Sequence, residues 1–166
     1  MHTEVENSTE SYTDLSERQV GVLLISILMV ALCGISYELI IGTVSTYLLG
    51  NSAYQFSLTI GFFMFAMGLG AYLSQLFVRD LLKTFVIIEV LISLIGGLCS
   101  ITLFLIYSAL NSLYTPVMYT FIIVIGMLVG LEIPLLTRIL SQKEVIRKSI
   151  AKVLSLDYLG ALIGSV

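Results

Sequence analysis

Charged side chains are scarce in this sequence: Asp, Glu, Lys and Arg make up 11% of its 166 residues, where a soluble domain carries about 25%. Apolar residues account for 58%, and the mean hydropathy is +1.04. A chain so composed cannot cover a water-facing surface. That excludes a soluble enzyme, a nucleic-acid binder and a disordered chain, and it marks an integral membrane protein. Histidine occurs once, as His2. Cys33 and Cys99 each lie inside an apolar run. Two such thiols are no disulfide framework, and without a Cys/His cluster there is no zinc site, so neither metal nor cofactor is expected. The net charge is −3, but five of the eleven acids are Glu4, Glu6, Glu10, Asp14 and Glu17. No basic field remains that would hold a nucleic acid.

What is present is a polar tail followed by five apolar segments, which predicts an all-α, polytopic membrane helix bundle. Residues 1–19 lack an apolar run and are expected to be a disordered cytoplasmic tail. A cleaved signal peptide would place positive charge first and end at small residues; here acid comes first, and the run that follows is long. The spans are expected at about 20–49, 56–78, 84–107, 116–140 and 150–166. The first is longer than the ~30 Å hydrocarbon core needs and is expected to tilt, break or emerge, with Gly42, Thr43 and Ser45 the weak point. Asn51 or Ser52 suits a helix N-cap. Pro116 suits a first helical turn, with Thr115 before it. The fifth span is marginal in length and is expected to be cut short, as in a fragment of a longer protein.

The basic residues orient the spans. Arg18 precedes the first, Arg79 and Lys83 lie between the second and third, and Arg138, Lys143, Arg147, Lys148 and Lys152 surround the link between the fourth and fifth. The turns at 50–55 and 110–115 contain no Lys or Arg. The positive-inside rule therefore puts the N-terminus and the basic links in the cytoplasm, in a plasma (inner) membrane. The 141–152 link mixes its basic residues with Val145, Ile146 and Ile150. It reads as a short helix on the anionic leaflet or as an ordinary basic loop.

Small residues recur at helical spacing: Ala66, Gly70 and Ser74 on the second span, Gly126 and Gly130 on the fourth, Gly160 and Gly164 on the fifth. Such spacing lets helix backbones approach closely in lipid, within the chain or, alternatively, in a homodimer. Gly68-Leu69-Gly70 is no nucleotide loop, because no strand precedes it.

Four acids lie within spans, where each costs at least ~2.5 kcal/mol near the centre. Glu89, Glu132 and Asp157 are expected in one cytoplasmic-side layer, with Glu38 deeper or nearer the outside. Pro134 follows Glu132 and removes the donor for the Gly130 carbonyl. A freed carbonyl beside a carboxylate is a candidate cation site. The bland alternative pairs these acids with Arg138, Arg79 or the hydroxyls of Tyr37 and Tyr158.

At these residues the sequence resembles the N-terminal membrane region of membrane-bound spermidine synthase-like proteins, the polyamine aminopropyltransferases. The similar stretches include Tyr37-Glu38-Leu39-Ile40, Tyr47-Leu48-Leu49-Gly50-Asn51-Ser52, Met67-Gly68-Leu69-Gly70-Ala71-Tyr72-Leu73-Ser74 and Ile88-Glu89. The most specific are Gly130-Leu131-Glu132-Ile133-Pro134-Leu135-Leu136-Thr137-Arg138 and Leu156-Asp157-Tyr158-Leu159-Gly160-Ala161-Leu162-Ile163-Gly164-Ser165. The resemblance covers about Gly34 to the end. It implies a soluble Rossmann-like domain downstream, transferring an aminopropyl group from decarboxylated S-adenosylmethionine to putrescine. No residue here matches that domain's nucleotide loop or catalytic aspartate, so no catalytic residue is assigned. The implied function is a membrane anchor for a cytoplasmic catalytic domain, with a cationic amine at Glu38, Glu89, Glu132 and Asp157. A transporter, or a piece of one, is the alternative, and a purely structural bundle serving as an assembly partner is a third reading.

Overall fold

A computed structural model of the chain describes residues 17–78, 80–141 and 146–166. The tail to residue 16, Arg79 and the 142–145 part of the basic link, Lys143 included, lie outside the described residues. Among those described there are five α-helices and no strand: α1 (Glu17–Leu49), α2 (Ser52–Leu73), α3 (Leu81–Ala109), α4 (Asn111–Ser141) and α5 (Ile146–Gly164). Four of them are long and apolar enough to cross a membrane. The fifth, with 19 residues, carries Arg147, Lys148, Lys152 and Asp157 and is not among those four.

The helix boundaries depart from the sequence expectation where distant side chains intervene. α1 runs unbroken through Gly42, Thr43 and Ser45. Those small and polar residues serve neighbours instead of breaking the helix. Gly42 leaves room for the Phe56 ring, Thr46 Oγ1 donates to the Gly42 carbonyl at 2.8 Å, and Ser45 Oγ lies 3.1 Å from the Tyr114 hydroxyl. At 33 residues and ~1.5 Å each, the helix outruns the hydrocarbon core.

α2 starts at Ser52, not near residue 56. Gly50 has φ +77, a left-handed conformation that stops α1 and suits glycine. Asn51 then caps α2, its side chain accepting from the Tyr54 N–H at 3.3 Å. α2 also ends early. Ser74–Leu76 is a 3₁₀ turn and Phe77 is extended, so Ser74 lies past the helix whose packing face it was expected to join. Arg138 of α4 explains this: its Nη1 donates to the carbonyls of Ser74 and Phe77, each at 3.1 Å.

α4 begins at Asn111 and contains Pro116, which was expected to open it. The N–H that proline lacks would have met a carbonyl of the first turn, where the loss disturbs little of the ladder. The added turn is held by Tyr114, fully buried and edge-to-face with Tyr107 at 5.5 Å.

α4 packs against all four other helices. Gly126 lies against Phe63 and Ala66, and Gly130 against Met67, so α2 and α4 run parallel. Gly160 lies against Leu28 and Ala31, and Gly164 against Leu32 and Ile35, so α5 runs parallel to α1. The small-residue faces are thus occupied within the chain. α1 and α3 are also parallel, with Gly96 against the Tyr37 ring and the Tyr107 hydroxyl donating to the Leu48 carbonyl at 3.1 Å. Up-down connectivity therefore gathers Arg18, Lys83, Lys148 and Lys152, at the starts of α1, α3 and α5, beside Arg138 at the end of α4. The core has two main clusters, one around Phe63, Leu103, Tyr114 and Ile122, the other around Leu23, Phe85, Leu136 and Val153 toward the basic end.

Candidate functional site: an acidic layer beside an open groove

The site is built from the basic half of the bundle. Glu132, on the central helix α4, is 3% exposed, and its Oε1 has no hydrogen-bond partner. The charges that act on it come from Glu89 of α3 and Asp157 of α5. Cys33 of α1 lies in the field of both Glu89 and Glu132. Four helices each contribute one group. The shared level follows from helix register, since Gly34 of α1 touches Val129 of α4, and Glu132 lies about one turn from there toward the basic end. Glu89 and Asp157 each repel Glu132. Among the described residues, no three His, Cys, Asp or Glu side chains are arranged to hold a metal ion.

Glu38 is buried but stands apart from this layer. It lies five residues beyond Cys33, ~7 Å farther from the basic end, beside the Phe63–Tyr114 half of the core.

Among the described residues, which do not include Arg79, the Glu132 Oε1 makes none of the pairings proposed for these acids in the sequence. Arg138 spends its Nη1 on the carbonyls of Ser74 and Phe77. Six positions along a helix set two side chains about 120° apart, so Arg138 and Glu132 leave α4 on different sides. The Tyr37 ring packs on Gly96, and Tyr158 is exposed. The helix continues through Pro134, which leaves the Gly130 carbonyl without an intrahelical donor.

Glu89 and Asp157 are both partly exposed, and Glu89 lines a groove. α1 and α3 touch in the half away from the basic end and stand apart toward it. A groove of about 400 Å³ opens between them, lined by Val22, Ile25, Met29, Phe85, Val86 and Glu89, among others. An adjoining space of about 290 Å³ shares Val22, Ser26, Phe85 and Val86 and extends to Arg18. The groove thus runs from the basic end of the bundle to the acidic layer. Sequence reasoning missed it and gave Cys33 no part, because the groove depends on the splay of two helices more than fifty residues apart.

The chain is 44% identical over 144 residues to the polyamine aminopropyltransferase of Leptospira interrogans, covering 87% of this chain and 29% of that protein. It is 42% identical over 144 residues to polyamine aminopropyltransferase 2 of Ralstonia nicotianae, covering 86% and 28%. The polyamine aminopropyltransferase of Oceanobacillus iheyensis is 39% identical over 158 residues, 92% of this chain and 30% of that protein. The chain therefore spans under a third of the length of these curated relatives. No protein-family profile matches it, and no solved structure does.

Proposed function

The chain is a homologue of part of the polyamine aminopropyltransferases, and from that premise we propose that it is their membrane-embedded N-terminal domain, anchoring an aminopropyltransferase domain at the cytoplasmic face. The observation that carries this reading is the gathering of Arg18, Lys83, Arg138, Lys148 and Lys152 at one end of the bundle. Cytoplasmic ends of membrane helices retain Lys and Arg, so that end faces the cytoplasm. A catalytic domain built from the relatives' additional length belongs on the same side, where its small charged substrates are dissolved. The membrane is the plasma membrane.

The acids of the bundle add a second element to the proposal: a cationic amine is the solute that Glu89, Glu132 and Asp157 would receive. A carboxylate layer in low dielectric attracts an ammonium group strongly. Transport of a small cationic solute is the other use of such a layer. Uptake of labelled amine into vesicles, dependent on Glu132, would favour it.

Anchoring is tested in the Leptospira relative. Removing its matched stretch should shift the remainder from the membrane pellet to the soluble fraction while aminopropyl transfer persists. A remainder that still sediments with membranes overturns the anchor.

A further inference from the structure

An anchor needs only apolar helices and a basic end, and it gives no role to the groove between α1 and α3. The walls of that groove are apolar, and Val22, Ile25, Met29 and Val86 on them are exposed. Its mouth has the opposite character. Arg18 is exposed and lines the outer space together with Val22, Leu82 and Phe85. Lys83, also exposed, shares the face of α3 that carries Val86 and Val90, at the i, i+3, i+7 spacing of one helix face. Asp80 precedes α3 and lines neither space. An apolar slot thus leads inward from two cations at the interface. Its length fits one leaflet. Arg18 to Met29 is eleven residues, ~16 Å along α1, and half of the ~30 Å hydrocarbon core is ~15 Å. A free phosphate would leave the walls unused, and a plain hydrocarbon would leave the cations unused. An anionic amphiphile uses both: guanidinium and ammonium groups receive phosphate oxygens, and an acyl chain covers the walls. The Glu89 carboxyl on the deeper wall disfavours a second anion there, which keeps the phosphate at the mouth.

We infer that the groove between α1 and α3 is a binding site for an anionic phospholipid of the cytoplasmic leaflet, its phosphate at Arg18 and Lys83 and one acyl chain along Val22, Ile25, Met29 and Val86. This rests on the bundle spanning a membrane with its basic end in the cytoplasm, and not on what the acids receive or what the bundle anchors. Anionic lipid gathers at basic residues wherever they meet the leaflet. The groove adds a fixed place, because the chain lies between two splayed helices instead of on a convex surface.

The sequence contains no tryptophan, so one introduced Trp reports the lipid beside it. Ile25→Trp probes the α1 wall and Val90→Trp the α3 wall. Both positions are exposed, each about 10 Å inward of its helix's mouth cation. Tyr72→Trp, exposed on α2 toward the same end of the bundle, is the reference. The full chain is placed in nanodiscs of mixed phosphatidylglycerol and phosphatidylcholine, with bromine on the acyl chains of one or the other. Quenching at Ile25→Trp and Val90→Trp should show about a fivefold preference for phosphatidylglycerol, the factor that one cation at the leaflet surface supplies. The preference at Tyr72→Trp should stay below about twofold, because no groove fixes the lipid there. Arg18→Gln combined with Lys83→Gln should reduce the groove preference to the Tyr72→Trp value while helical circular dichroism stays unchanged. Either groove probe decides alone if the other variant does not fold. Equal quenching by the two lipids in the groove, an equal preference at Tyr72→Trp, or a preference that survives the double substitution would overturn the site. So would groove probes that neither lipid quenches, the result if another helix or a second copy fills the space. Failure to co-elute with the nanodisc would overturn the membrane reading and the site with it, whereas co-elution with equal quenching overturns the site alone.

Discussion

The Arg138 guanidinium of α4 donates to the Ser74 carbonyl of α2 at 3.1 Å, and this bond marks where α2 stops being an α-helix. A carbonyl leaving the helical ladder in an apolar setting needs another donor. Arg138 supplies one to Ser74 and, from the same nitrogen, one to Phe77. The 3₁₀ turn at Ser74–Leu76 and the extended Phe77 follow from it.

Arg138→Ala should therefore destabilise the bundle by about 2 kcal/mol, the usual scale for hydrogen bonds from a charged donor. Arg138→Lys should recover only part of that, since an ammonium is a more strongly hydrated point charge than a guanidinium and is held less readily in an apolar setting. Unfolding by sodium dodecyl sulfate in mixed micelles measures both. Loss of protection at the 74–77 backbone amides by hydrogen exchange should accompany the Ala variant.

Gly130 and Gly97 should respond oppositely to alanine. A Cβ at Gly130 would meet the backbone of Met67, whereas nothing lies within 4 Å of one at Gly97. Overpacking a close helix contact costs ~1–3 kcal/mol. An open helical glycine gains up to ~1 kcal/mol on becoming alanine. Thermal midpoints of Gly130→Ala and Gly97→Ala in detergent should move down and up. A neutral Gly130→Ala would contradict the α2–α4 contact.

Tyr114 separates hydroxyl from ring. Its hydroxyl lies 3.1 Å from Ser45 Oγ, and its ring is fully buried against Tyr107. Tyr114→Phe should cost ~0.6–1 kcal/mol, as interhelical side-chain hydrogen bonds in membranes do. Tyr114→Ala should cost ~3–5 kcal/mol through the cavity. The same micellar unfolding curve gives both values.

The elements legible in the sequence are those written locally. Apolar runs mark the helices, Gly50 and Asn51 mark the first turn, and small residues four apart mark the faces on which α2 meets α4 and α5 meets α1. The misplaced boundaries have non-local causes. Arg138 ends α2 from sixty-four residues away, and Tyr114 holds a helical turn ahead of Pro116 by packing on Ser45 and Tyr107. The acidic layer was half visible. Counting residues from the basic ends places Glu89, Glu132 and Asp157 at one level, but the pairing of Glu132 with Arg138 ignored their angular separation on α4. No local pattern encodes the space between two helices, so the α1–α3 groove left no mark in the sequence.

The central claim is that the bundle crosses a bilayer with its basic end in the cytoplasm. Single cysteines test it most directly, in a chain with Cys33→Ala and Cys99→Ala. Ser52→Cys lies in the turn free of Lys and Arg, and Lys83→Cys lies at the basic end; both positions are exposed. In intact bacterial cells a membrane-impermeant maleimide should label Ser52→Cys at once and Lys83→Cys only after permeabilisation. Labelling of Lys83→Cys in intact cells, or protection of Ser52→Cys there, would contradict the claim.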